Sequence, residues 1–558
     1  MKNGKNETNE TNETNETNET NETNETNETN ETNETNETNE TNETNETNET
    51  NETIETNETI DMNLNRPVGL AVGPLTETGA VRSNTPLFRW TIEGSREERA
   101  FRLLVASRPK LLLPGAADLW DTGIVMQWGD PDKCARGKVR YAGPALLAGL
   151  TYYWKVQIGN GEAEMSAFSE AAAFQMTDDL PDAKTAAARR VFGESNEAIY
   201  RTTLDSLYSR TTPDGYVPTS VTGAYPGQFV RDTAAHLFAL LVLPDFSEAR
   251  KVLVSLLDRI DSLGVERAPQ ILFTDGSPPV MLDQPDGHYQ LLMAWADYVQ
   301  LADDRETERK YYPLIRGFAL YYLKAPYFDP ELNLLWNPAY EHARENVHMS
   351  VYDLITNQFA VQALTKVAGV ARRLADRDTA SALEAHAAAL QTGIDGRLSA
   401  VDEERRSVFG ELRGRDGADR LLQGYSFVNL APIPAAVPGA GVKMRNTLQA
   451  YERRGSFMWG EFRMLHTYIT PNTANAGAQV IGKGLAWACY FYAASGDWNR
   501  LSLLQEWLET YNTAPLFGEA FNFLPFSRGE AYIQDGGNQE QASWFIWAQA
   551  QIRRLATD

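Results

Sequence analysis

The stretch Tyr225-Pro-Gly-Gln-Phe-Val-Arg-Asp232 leads from a loop of turn formers and aromatics straight into an apolar helical pattern near 231–243. The same alternation, a loop and then i, i+3, i+4 apolar spacing, recurs near 193–209, 247–262, 288–302, 307–323, 350–371, 375–397, 443–453, 475–496, 498–511 and 539–555. Helical segments joined by Gly-, Pro-, Asp- and aromatic-rich loops predict antiparallel hairpins closing on one another. About a dozen helices would then form two concentric rings, with the loops of one end lining a pocket.

Upstream the pattern changes. The short runs Pro86-Leu-Phe-Arg-Trp-Thr91, Phe101-Arg-Leu-Leu-Val-Ala106 and Tyr152-Tyr-Trp-Lys-Val-Gln157 alternate with turn-rich stretches, predicting an all-β sandwich over residues 65–177. The run from Thr177 to Ala186 has no strand pattern and reads as the linker to an all-α unit over 186–558. From Asn6 to Thr59 the chain is a near-perfect Asn-Glu-Thr triplet repeat with almost no apolar surface to offset its ordering entropy. Residues 1–64 are therefore expected to be a disordered tail, with Met62 as the working start.

The chain of 558 residues exceeds what one core normally organises, so a multidomain protein is expected. Its net charge of −25 is mostly local: residues 1–61 carry 18 Glu and Asp61 against Lys2 and Lys5, which leaves −8 for the rest. No stretch clusters Lys and Arg as phosphate binding requires, so nucleic acid is not an expected partner. Neither a membrane-spanning apolar run nor a signal-type N-terminus is seen, which predicts a cytoplasmic protein. Cys134 and Cys489 fall in different predicted domains, and the six His show no HxxxH or HExxH spacing, so no disulfide, metal or cofactor is expected. The sequence carries no sign of an oligomeric state.

Four loops hold the carboxylates best placed for chemistry. In the loop over 225–232, Asp232 reads equally as a helix N-cap and as an acceptor of sugar hydroxyls, with Arg231 beside it. The second loop runs through Phe273-Thr-Asp-Gly-Ser277 and Asp283-Gln-Pro-Asp-Gly-His-Tyr289 ahead of the helix carrying Trp295. It offers Asp283, Gln284 and Asp286 to polar sugar edges, although turn chemistry alone explains its Asp-Gly pairs. The third, Leu335-Trp-Asn-Pro-Ala-Tyr-Glu341-His-Ala-Arg-Glu-Asn346, places Glu341 after Trp336 and Tyr340. Apolar neighbours there would raise the carboxyl pKa as a general acid requires, with Glu345 as the reserve. The fourth, Asp535-Gly-Gly-Asn-Gln-Glu540-Gln-Ala-Ser-Trp544, puts Glu540 in the first turn of a helix, whose dipole favours an ionised base. Glu519 in Leu516-Phe-Gly-Glu-Ala-Phe521 competes for that role.

In this order the four loops resemble the six-hairpin, (α/α)6-barrel glycosidases of the glucoamylase-like superfamily, over roughly residues 190–555. The resemblance implies that Arg231-Asp232 opens an early helix with Asp232 on the sugar being cleaved, and that Gln539-Glu540-Gln541 carries the late base. Those enzymes place a Glu directly after Leu-Trp; here Asn337 follows Leu335-Trp336. Pro86-Leu-Phe-Arg-Trp90, Ala117-Asp-Leu-Trp-Asp-Thr-Gly123, Tyr141-Ala-Gly-Pro144 and Tyr152-Tyr-Trp-Lys-Val156 look like the N-terminal immunoglobulin/fibronectin-like domain of bacterial α-L-rhamnosidases. Together the likenesses imply an inverting glycosidase acting on a carbohydrate substrate, its acid and base carboxyls roughly 6.5–9.5 Å apart. Two other readings stay open. One is a lyase or epimerase using His288, His348 or Tyr352 with Arg231 and Arg344; the other is a sugar-binding barrel without catalysis.

Overall fold

A computed structural model describes residues 65–92, 98–127, 136–160, 164–225, 227–340, 349–415, 419–420, 430–434, 441–454, 456–465, 478–524 and 530–558. The Asn-Glu-Thr tail, Cys134 and residues 341–348 lie outside that set.

The N-terminal part is a sandwich of antiparallel strands. They are β1 (Val68–Gly73), β2 (Leu87–Thr91), β3 (Ala100–Ala106), β4 (Trp120–Asp121), β5 (Val125–Met126), β6 (Lys138–Arg140), β7 (Thr151–Gly159) and β8 (Ala172–Gln175). One sheet has the order β1-β2-β6 and the other β4-β3-β7-β8, with β5 also on β3. Alternation puts Phe88 and Trp90 of β2 and Tyr152, Trp154, Val156 and Ile158 of β7 on the inner faces. Phe88 and Trp154 meet edge to face across the layer, 4.7 Å between ring centres.

Twelve helices follow among the described residues. They are α1 (Ala183–Val191), α2 (Glu194–Arg210), α3 (Val230–Val242), α4 (Phe246–Ser262), α5 (Pro285–Leu301), α6 (Arg305–Tyr321), α7 (Leu354–Arg373), α8 (Arg377–Arg397), α9 (Gly441–Arg454), α10 (Gly482–Ala494), α11 (Trp498–Tyr511) and α12 (Gln539–Thr557). Burial sorts them into two rings. In α5, 14 of 17 residues are buried, whereas α4 and α6, of the same length, bury six each along one stripe. The inner helices α10, α12, α3, α5 and α7 pack side by side in that order, and α11, α2, α4, α6 and α8 back them. This is the two-ring helical barrel expected from the sequence, behind the expected sandwich.

The connections differ sharply between the two ends. Inner helices pass to outer ones through three residues, at 243–245, 302–304, 374–376 and 495–497. In each, the closing Asp (Asp245, Asp304, Asp376 or Asp497) caps the outer helix by accepting the backbone N–H of the residue three further on: Glu248, Thr307, Thr379 and Arg500. The middle residue turns the chain through the left-handed region, with φ of 50° at Asp303, 63° at Ala375 and 76° at Gly496. Outer helices return to inner ones through long segments. These carry short strand pairs such as Gln228–Phe229 with Ile271–Leu272, and Met349–Asp353 with Leu412–Gly414. The loop-rich end is thus the mouth.

Three boundaries differ from those expected. Helix α1 begins at Ala183, inside the run read as linker, because Asp182 accepts the Thr185 N–H as its cap. The segments expected to be helical from 350 and 475 open as strands, Met349–Asp353 and Ala478–Ile481, and turn helical only at Leu354 and Gly482. There, pairing with neighbouring loops wins over local helix spacing. Among the described residues no helix is long and apolar enough to cross a membrane.

Candidate active site

The inner helices α3, α5, α7, α10 and α12 all begin at the loop-rich end, so five helix N-termini, each with a positive partial charge, converge there. Their first turns carry Arg231 and Asp232, Asp286, Lys483, and Glu540, and Asp353 caps α7. The four acids and Lys483 are nearly solvent-free, with exposures of 4% for Asp232, 1% for Asp286, 0% for Asp353, 3% for Lys483 and 4% for Glu540. Charges so buried persist only when paired.

Glu540 is the centre of that pairing. The Lys483 ammonium donates to both its oxygens, at 2.9 and 3.0 Å, and the Gln541 side chain donates to Oε2 at 3.2 Å. Arg231 links two acids: its Nε lies 3.5 Å from Glu540 Oε1 and its Nη1 lies 3.5 Å from Asp286 Oδ2. Two glycines permit the approach. A Cβ on Gly287 would sit 2.9 Å from Arg231 Cβ, and one on Gly482 would sit 2.5 Å from the Gly518 carbonyl oxygen. Asp232 stands in the third helical position of α3, with Phe229 as the N-cap, so it is not the cap of its helix. Its charge is felt by the buried Arg210.

Asp353 joins the mouth loop to α7. Its carboxylate accepts from the Thr356 backbone N–H at 2.7 Å and from Asn337 Nδ2 at 3.1 Å. Burial pushes its pKa up to about 7; the Thr356 N–H opposes the rise and the Asp286 charge adds to it. With the folded pKa raised, the folded state holds the proton more tightly than the unfolded chain. This contribution to stability is therefore complete below about pH 4 and lost as pH rises toward 7. Asp353→Asn, which cannot ionise, should flatten that fall: relative to wild type, its urea-unfolding free energy should gain about 3 kcal/mol between pH 5 and pH 8. An identical pH dependence in the two proteins would remove the assignment.

The remaining candidates are dispersed. Asp283 is held by Arg267 at 2.5 Å and by the hydroxyls of Tyr327 at 3.0 Å and Tyr322 at 3.4 Å. Gln284 is buried at the N-cap position of α5. Trp336 is half-buried beneath the Arg415 guanidinium, 3.8 Å from its ring centre. Tyr340 ends the strand Asn337–Tyr340. Glu341 and Glu345 fall outside the described residues, as do Arg344 and His348. Glu519 accepts from the Tyr225 hydroxyl at 2.9 Å on each oxygen and from Gln534 at 3.3 Å. His288 is wedged in the core, its Nδ1 accepting from the Ala268 N–H and its Nε2 facing the Phe318 carbonyl, and Tyr352 donates to Asp329. Of the three side chains offered for lyase chemistry, His288 and Tyr352 are thus engaged within the scaffold and His348 lies outside the described residues.

Lys483 and Asp353 belong to the buried group at the loop-rich end though they lie outside the four loops, and Asn337 is marked in the sequence only as the residue after Trp336. A lone Lys in the apolar run Ile481-Gly-Lys-Gly-Leu-Ala-Trp487 is the available signal, because a charge inside a buried helix needs a partner. Among the described residues no group of three or more His, Cys, Asp or Glu is arranged to hold a metal ion.

Comparison with known proteins bears mainly on the sandwich. Over 100 residues, 17% of this chain, the sequence is 33% identical to an alpha-L-rhamnosidase of Formosa agariphila, of which the match covers 10%. The chain thus spans about a tenth of the length of that relative. A bacterial glucoamylase complexed with acarbose superposes with a TM-score of 0.49 at 11% identity, over 85% of this chain and 78% of that one. A GH63 mannosylglycerate hydrolase of Thermus thermophilus gives a TM-score of 0.43 at 14% identity, over 62% of this chain and 99% of that one. Residues 67–177 match the family model of the Rha78A-like, N-terminal immunoglobulin domain.

Proposed function

We propose that this chain is a glycoside hydrolase that removes a terminal sugar from an oligosaccharide or glycoconjugate with inversion. The observation that carries the reading is the buried group of Glu540, Lys483, Arg231 and Asp286 at the loop-rich end of the barrel. In this reading Glu540 takes a proton from water as the water oxygen attacks the anomeric carbon, and Glu341 gives a proton to the departing glycosidic oxygen. Asp232 and Asp286 accept sugar hydroxyls, and Trp336 offers a ring to the sugar's apolar face. An α-L-rhamnoside is the first substrate to try, given the sandwich's likeness to an alpha-L-rhamnosidase.

A sugar-binding role without catalysis is favoured by one observation: the residue after Trp336 is Asn337, whose amide is tied to Asp353 and Thr356. A panel of aryl glycosides, α-L-rhamnoside and α-glucoside included, separates the two readings when run on wild type and Glu341→Gln with the product anomer followed by NMR. Turnover that first releases the opposite anomer, and that Glu341→Gln abolishes, supports the proposal. First release of the same anomer would replace inversion by retention, and sugar binding with no turnover anywhere would favour the binding role.

A further inference from the structure

The sandwich docks on the barrel through Arg140, which pairs with Glu461 and Glu506, and through Asn499 and Arg500, which donate to the Gly143 and Ala142 carbonyls. Beside this contact lies a cavity whose empty space, open solvent included, is about 710 Å³. Trp120 and Ala142 of the sandwich, Leu485 and Ala488 of α10, and Leu503 and Leu504 of α11 give it an apolar wall.

Three charged residues, Glu452, Arg463 and Arg500, break that wall, and two of them, Glu452 and Arg500, pair with each other. Arg463 is 9% exposed, and its guanidinium meets only the Ser456 hydroxyl, at 2.7 Å from Nε, and the Glu452 backbone carbonyl. The nearby Glu452 carboxylate is already taken by Arg500 at 2.9 Å and the Tyr492 hydroxyl at 3.2 Å. Among the described residues no carboxylate forms an ion pair with Arg463. Burial lowers its pKa to about 10, which still leaves it a cation at neutral pH. A buried cation without a paired anion is costly, and an anionic ligand would relieve that cost.

We propose that this cavity between sandwich and barrel binds a small monoanion with an apolar body, an aryl or short-chain aliphatic acid, its anionic end on Arg463 and its body against α10 and α11. The site is separate from the carboxylate group at the mouth and stands whether or not the chain cleaves glycosides.

The test uses 8-anilinonaphthalene-1-sulfonate, an apolar-bodied monoanion whose fluorescence rises on transfer out of water. The full chain is expected to bind it saturably. Arg463→Gln should weaken binding by at least about tenfold through loss of the charged contact, and Leu504→Trp should abolish it by filling the space. Near-UV circular dichroism identifies folded variants, and 4-phenylbutyrate should compete with the dye. Absence of saturable binding to wild type would overturn the proposal. So would a folded variant of either kind whose affinity stays within about twofold of wild type.

Discussion

Glu540→Gln is expected to lower glycoside turnover by about 10³-fold with the barrel still folded, if Glu540 is the base that activates water. Glutamine keeps the size of the side chain and an acceptor oxygen for Lys483, so the geometry at the start of α12 is preserved while the proton acceptor is lost. The measurement is kcat on the best substrate of the aryl-glycoside panel. Glu519→Gln is the control, because the Glu519 carboxylate is held by the Tyr225 hydroxyl and the Gln534 amide. Its loss should stay within about tenfold. If Glu519→Gln proves the more damaging change, the base is Glu519 and the role assigned to Glu540 is wrong.

The second large effect concerns stability. Lys483→Met keeps much of the side chain's length but removes the ammonium that donates to both oxygens of the buried Glu540 carboxylate. Breaking a buried pair from one side costs about 3–5 kcal/mol, because the remaining charge stays desolvated. Urea melts of Lys483→Met should show a loss of that size. The double variant Lys483→Met/Glu540→Gln should recover most of it, since the carboxylate charge that lost its ammonium is then gone too. Additive losses would show that the two side chains act independently.

The fold was legible because it is written in burial. Helices closed in on all sides, such as α5, read as apolar almost throughout, and the β-rich runs around Phe88 and Trp154 carry the two-residue alternation of a sheet. The site was legible in part. Arg231, Asp286 and Glu540 stand in the first turns of inner helices, where loop and helix signals meet, and they come together. Asp283 shares its loop with Asp286 yet turns away to Arg267, because two positions in one loop need not face the same way. Lys483 escaped because its partner is 57 residues distant, and such pairing leaves no local pattern. Asp353 escaped because the helix expected from residue 350 begins only at Leu354, which hid the acid as an ordinary interior position instead of a cap.

The four three-residue corners with their Asp caps have a consequence for how such a protein can change. Each corner is fixed by one left-handed residue or turn and one carboxylate, and Asp245, Asp304 and Asp376 also accept from Tyr208, Arg250 and Tyr312 of other helices. One end of the barrel is therefore a chassis and the other a set of exchangeable fittings. A change of length or sequence in the long connections leaves the corner bonds of the frame intact.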